Sequence, residues 1–152
     1  MKRWVYLLAA VLIVAFVGGK HADVANLRPV EVVSVSKSDG GIRIVTDTGD
    51  SGNGTDVCAA IKDLKATTPA EIFLETGEYL LVTEECLPLL PELMEYLRPS
   101  CAVCLVDGEP DMKEVAQYLK IHPPKRTLAE YRAGIKELPV LKVEEGRMEL
   151  VS

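Results

Sequence analysis

Apolar residues recur along this chain with two periods, and the changes between them mark out its elements. Val30, Val32 or Val33, and Val35 alternate with polar residues as a half-buried strand does. Ile42, Ile44 and Thr46 resume that alternation after Asp39-Gly40-Gly41, whose glycines suit a tight turn, so residues 30–46 read as a β-hairpin. Asp47 to Thr55 is polar and glycine-rich, the composition of a loop. Thr55 or Asp56 can cap a helix in which Val57, Ala60, Ile61 and Leu64 recur at helical spacing, and Thr67-Thr68-Pro69 stops it.

The stretch from Glu71 to Arg98 organises the rest. Two short apolar runs, Ile72–Leu74 and Tyr79–Val82, flank a break at Thr76-Gly77 and predict two strands with an amphipathic helix over them. Thr83 can cap that helix, with Glu84 and Glu85 in the first turn, where negative charge meets the positive end of the helix dipole. Pro88 is tolerable in the first turn, whereas Pro91 predicts a kink or a restarted helix. Leu90, Leu93, Met94 and Leu97 form its inner face. Cys101–Val106 reads as a buried strand, and Pro110-Asp111 opens a helix with Met112, Val115, Ala116 and Leu119 inward. His122-Pro123-Pro124 breaks it. Thr127 caps a short helix with Leu128, Tyr131 and Ile135 inward, and residues 139–151 read as a last hairpin about Gly146. Hairpins open and close the domain while helices separate the strands between. That order predicts an α/β (α+β) fold, a mixed β-sheet covered by helices, rather than a doubly wound parallel sheet.

A further element precedes this domain. Trp4 to Val17 is an unbroken apolar run of 14 residues behind Lys2 and Arg3, closed by Gly18-Gly19-Lys20. A charged start, apolar middle and small-residue end match an export signal. A spanning helix wants roughly 20 residues, so the run is short for one. Cleavage after Gly19 and retention as an N-terminal hydrophobic anchor helix both remain open. A run with no polar face does not suit a helix packed on a globular surface. The expected division is a signal or membrane anchor over residues 1–20, a linker over 21–29, and one globular domain over 30–152, with the membrane met through residues 4–19.

Charge narrows the partners. Beyond residue 20 the chain holds 14 basic against 23 acidic residues, a formal charge of about −9. Such a domain repels phosphate backbones, which argues against nucleic acid.

Candidate chemistry is sparse. Cys101-Ala-Val-Cys104 has the spacing of a redox dithiol, but a reactive pair of that type places its first thiol at a helix N-terminus. Residues three apart on a strand point to opposite faces, which favours buried structural cysteines. Four cysteines supply only one close pair, too few for a four-thiolate zinc site. Asp47-Thr-Gly49 follows an apolar strand as the active-site turn of aspartic proteases does; two such carboxylates must share a proton, so this chain would have to dimerise. Asp47, Asp50, Asn53 and Asp56 lack the alternation and closing glutamate of a helix-loop-helix calcium site. Asn53-Gly-Thr55 is a formal glycosylation acceptor. His21 and His122 have no evident serine or cysteine partner. The residues by themselves indicate no catalytic group, cofactor or metal. A thiol enzyme using Cys101 and Cys104 and a dimeric protease using Asp47 stand as the alternatives to a non-enzymatic domain.

Several phrases resemble a known family. Asp56-Val-Cys-Ala-Ala-Ile61, Tyr79-Leu-Leu-Val-Thr-Glu-Glu85, Leu87-Pro-Leu-Leu-Pro-Glu-Leu-Met-Glu-Tyr-Leu-Arg98, the strand-turn-helix Cys101–Leu119 and Leu138-Pro-Val-Leu141 are similar to the N-terminal domain of the C subunits of spore germinant receptors, the Ger(x)C lipoproteins. The likeness spans roughly residues 28–142. That family carries a lipid-attachment cysteine behind its signal, which this sequence lacks, and continues into further domains, so the likeness is to a truncated form. The resemblance implies a non-enzymatic accessory domain with membrane-protein partners, on the extracytoplasmic face of a cell or spore membrane, or secreted if the leader is cleaved. It supplies no catalytic residue.

Overall fold

The computed structural model describes residues 27–144 and 146–152; the leader, and the linker as far as residue 26, lie outside them. The strands are β1 (Leu27–Pro29), β2 (Val32–Ser38), β3 (Gly41–Thr46), β4 (Ser51–Gly54), β5 (Glu71–Phe73), β6 (Tyr79–Val82), β7 (Ala102–Asp107), β8 (Val140–Glu144) and β9 (Arg147–Val151). The helices are α1 (Val57–Thr67), α2 (Leu90–Leu93), α3 (Met112–Ile121) and α4 (Leu128–Arg132).

Seven strands form one mixed sheet in the order β4-β3-β2-β6-β7-β8-β9, while β1 and β5 pair in parallel as a separate two-stranded sheet. The centre of the large sheet is parallel: β2 with β6, β6 with β7, β7 with β8. Antiparallel partners close both sides, β3 and β4 on one and β9 on the other. This is the mixed sheet that the pattern predicts, with its hairpins as the margins. Parallel strands must be buried on both faces, and the sequence supplies the means. Val33, Val35, Leu80, Val82, Cys101 and Val103 face one apolar cluster, closed by α1, α2 and α4. Val32, Leu81, Cys104, Val106 and Leu141 face the other, closed by α3 through Val115, Ala116 and Leu119.

The helix starts are fixed by side chains that stand just before them. Asp56 accepts from Ala59 N at 2.7 Å, and Asp111 accepts from Lys113 N and Glu114 N. Thr127 and Glu130 form a reciprocal capping box on α4. Gly40, at φ +99°, makes the β2–β3 turn in a backbone region that side chains disfavour.

Several expectations are corrected. The linker does not reach residue 29, because Leu27–Pro29 pair with Glu71–Phe73. The polar loop over 47–55 contains a strand: β4 pairs with β3 although Ser51-Gly-Asn-Gly54 has no strand-forming residue. Glycine is what permits it, since Gly52 and Gly54 lie directly against the backbone of α1 at Ala60 and Leu64. The runs at Ile72 and Leu80 are strands of different sheets, separated by a 3-10 turn over Leu74–Thr76. The helix after Thr83 is a 3-10 turn, Glu84–Leu89, restarted at α2 with Pro91 in its first turn. Ile135 is not inward; it is 41% exposed beyond the end of α4.

Side chains meet backbone groups at both margins of the sheet. The outward N–H of Asn53 donates to Asp63 Oδ2 at 2.8 Å, and Thr67 Oγ1 donates to the Ser51 carbonyl, so α1 caps the β4 edge. At the other edge, Leu150 N donates to the Tyr118 hydroxyl at 3.1 Å.

Candidate interaction site

Cys101 and Cys104 are fully buried, one in each of the two apolar clusters. The sheet itself lies between them. Burial pushes the Cys101 thiol up to about 12, with Arg98 opposing and Glu78 adding to the shift. Burial, with Cys101 adding, does the same to Cys104. Neither thiol stands at a helix N-terminus, and all four cysteines are free. A dithiol exchange centre needs a depressed pKa and access; these two have the reverse.

Asp47 follows β3, where the chain doubles back beside the start of β2. Its Oδ1 accepts from Glu31 N and Val32 N, both at 3.1 Å, and its own N–H donates to the Val32 carbonyl. The carboxylate clamps the start of β2. The other oxygens of that segment go elsewhere. Asp50 Oδ2 takes the Thr48 hydroxyl at 2.6 Å and Arg28 at 3.4 Å, while Asp56 caps α1. Among the described residues no group of three or more His, Cys, Asp or Glu is placed to hold a metal ion. Asp47→Ala is expected to cost about 2 kcal/mol, the loss of charge-assisted bonds to two backbone donors. Asp47→Asn, which retains an acceptor oxygen, is expected to cost less. Urea midpoints of the two variants check this. Unchanged midpoints would show that the clamp does not hold the fold.

Two of the concavities among the described residues bear on function. One lies beyond the carboxyl ends of β2, β6 and β7, lined by Ser36, Lys37, Thr83, Glu84, Glu85 and Asp107 among others. The Thr83 hydroxyl is buried there and finds no partner among the described residues. The second is a groove of about 580 Å3 beside the β8–β9 margin of the sheet. Its walls are mostly apolar: Tyr118 and Pro123 from the end of α3 and the loop after it, Leu138 and Pro139 from the segment leading into β8, and Leu150 from β9. His122, Lys125, Arg126 and Glu137 also line it. The His122 ring lies 4.8 Å from the Tyr118 ring, and Arg126 is 4.0 Å from Glu130.

Topology explains the convergence. α3 runs back from the carboxyl end of β7, so its last turn reaches the amino ends of the parallel strands. Lys120 in that turn bonds Glu31, the residue before β2, at 2.6 Å. Val151 stands opposite Val140, the first residue of β8, and Val140 stands opposite Leu105, level with Val82 at the carboxyl end of β6, so β8 begins and β9 finishes part-way along the sheet. The sequence reading treated His122-Pro-Pro only as a helix breaker and missed the groove, because its walls come from segments far apart in the chain. A local signal was present: residues 120–139 carry five basic and two acidic residues in an otherwise acidic domain.

Among the described residues no helix is long and apolar enough to cross a membrane. Compared with known proteins, the chain matches no family model, no curated protein and no solved structure.

Proposed function

We propose that this chain is a membrane-tethered, extracytoplasmic accessory domain that works by contact with a membrane protein rather than by catalysis. The reading is carried by one observation: an unbroken apolar run, Trp4–Val17, behind two basic residues, joined through only residues 18–26 to a domain whose first strand begins at Leu27. In this reading the run is a signal or anchor helix, and the domain is held where partners lie in the same membrane. The surroundings of the candidate reactive groups agree with a contact role. The two central thiols are sealed in apolar clusters, and Asp47 is engaged by backbone donors. The likeness to the C subunits of spore germinant receptors supplies the class of assembly, one in a cell or spore membrane.

A tagged copy purified from membranes of its own host during sporulation tests this. The expected result is enrichment of germinant-receptor membrane subunits over a mock purification. Recovery of the chain without any membrane protein would overturn the contact role.

A further inference from the structure

Strand β9 ends the large sheet, with β8 on one side of it and no strand on the other. Two bonds fix which of its backbone groups face outward. Leu105 N donates to the Pro139 carbonyl, so Pro139 faces β7 and, by alternation, Val140, Lys142 and Glu144 face β9. These three bond Val151, Glu149 and Arg147, the residues opposite them. Leu150 N donates to the Tyr118 hydroxyl on the other side, and Met148 points the same way. Among the described residues no hydrogen bond reaches the outer N–H or C=O of Met148. The strand at the other margin differs, because Asp63 and Thr67 of α1 take Asn53 N and the Ser51 carbonyl of β4.

Side chains divide between the two faces. Met148 and Leu150 lie with Leu141 and Val143 on the apolar cluster closed by α3. Arg147 and Glu149 share the opposite face with Glu144 and Lys142, and all four are exposed. Among the described residues neither Arg147 nor Glu149 forms an ion pair. Charged side chains on an edge strand ordinarily keep other strands away. Charges of one sign do that to a second copy. Here the two are opposite in sign and two residues apart, so the strand is complementary to itself when reversed.

The register follows from these facts. A two-fold antiparallel pair sets residue i opposite residue j of the copy and j opposite i. A dyad at Arg147 or at Glu149 places like charges directly opposite, which is destabilising. A dyad at Leu150 needs the N–H that Tyr118 holds. A dyad at Met148 places Arg147 opposite Glu149 of the second copy, twice. The two Met148 residues then exchange both of their outer hydrogen bonds. The Arg147–Glu149 pairs fall at the closer, non-bonded positions, with Cα atoms roughly 4.5 Å apart. On the other face methionine meets methionine and extends the apolar cluster from one copy to the next.

We propose that β9 is a self-association edge, which joins two copies of this chain by antiparallel pairing about Met148 into one continuous sheet. Backbone bonds hold the pair, and the Arg147–Glu149 pairs select its register. The proposal does not depend on the tether.

The test uses the full chain in mild detergent, in a Cys58→Ser background. Met148→Cys is treated with a mild oxidant, and Asp39→Cys serves as the measure of random collision. A hydrogen-bonded pair sets Cα atoms about 5.5 Å apart, within the reach of a disulfide. Covalent dimer is expected several-fold faster through position 148 than through position 39. Arg147→Glu or Glu149→Arg, added to every copy, turns both attractive pairs into repulsive ones. Each is expected to slow the cross-link by about tenfold or more. An equimolar mixture of the two variants makes both pairs attractive again, and the cross-link between them should return to the unsubstituted rate. This recovery also shows that the variants fold. Cross-linking at 148 no faster than at 39 would overturn the proposal. So would a rate that charge reversal leaves unchanged, or a mixture that does not recover. Cross-linking of position 148 to a host membrane protein, in place of a second copy, would assign the edge to that partner and overturn self-association.

Discussion

Gly52→Ala is expected to destabilise the domain by about 3 kcal/mol or more, the upper part of the range for forced overpacking of a core. The reason lies in how closely β4 sits under α1. A methyl group at Gly52 would overlap the Ala60 carbonyl and the Leu64 amide, and would stand 2.6 Å from Leu64 Cβ. Two of these obstacles are helix backbone, which no rotamer change can clear. α1 would have to lift, and with it Val57, Ala60, Ile61 and Leu64, all buried on the same cluster as Ile42 and Ile44. Gly54→Ala should behave similarly, since its methyl would meet Ala60 N and, at 2.7 Å, Ala59 Cβ. Gly40→Ala is the control. That position is open but holds φ +99°, so the expected cost is the smaller one of a left-handed backbone, about 1–2 kcal/mol. Domains of ordinary stability have about 5–15 kcal/mol in total, so the Gly52 variant should unfold at a clearly lower urea concentration. A midpoint within error of the Gly40 variant would show that β4 does not pack under α1 in this way.

Alkylation of Cys101 and Cys104 in the folded protein at pH 8 is expected to be at least about a thousandfold slower than in the unfolded chain. Their thiols lie near 12 against an ordinary value of 9.0. That difference alone lowers the thiolate fraction by about three powers of ten, and complete burial slows the reaction further. Cys58, half-buried on α1, should be the first thiol modified. The same shift has a sign in stability. Each buried thiol stabilises the fold below pH 9, where both states are protonated. As pH rises from 9 toward 12 the unfolded chain releases its protons first, so stability falls across that window. Mass-resolved alkylation over time checks the rates. Fast, pH-dependent modification of Cys101 at neutral pH would revive the thiol-enzyme alternative.

Where a signal is local, the sequence announces the structure. Asp56, Asp111 and Thr127 stand before the helices they cap, and the alternation of Val33, Val35, Ile42 and Ile44 describes a real hairpin face. The divergence of Cys101 and Cys104 follows from strand geometry and agrees with their separate clusters. Pairing is a different matter. Ile72 and Leu80 sit in similar apolar runs, yet one strand pairs with Leu27–Pro29 and the other lies in the middle of the large sheet. Nothing within either run encodes its partner. β4 was hidden because its strand character comes from contact with α1 rather than from its own residues. Ile135 looked inward on helical spacing, but α4 ends at Arg132, so that spacing no longer applies. The groove is the extreme case, assembled from three separated parts of the chain, with only the run of basic residues to give it away.

The measurement that tests the central claim most directly is the topology of the chain in its own host. Asp39→Cys in a Cys58→Ser background is treated with a membrane-impermeant maleimide in intact cells stripped of outer layers, and the membranes are then washed with alkaline carbonate. The tethered, extracytoplasmic account predicts that Asp39→Cys is labelled before lysis and that the labelled chain stays with the membrane pellet. Labelling only after lysis, or release of the chain by carbonate, would contradict it.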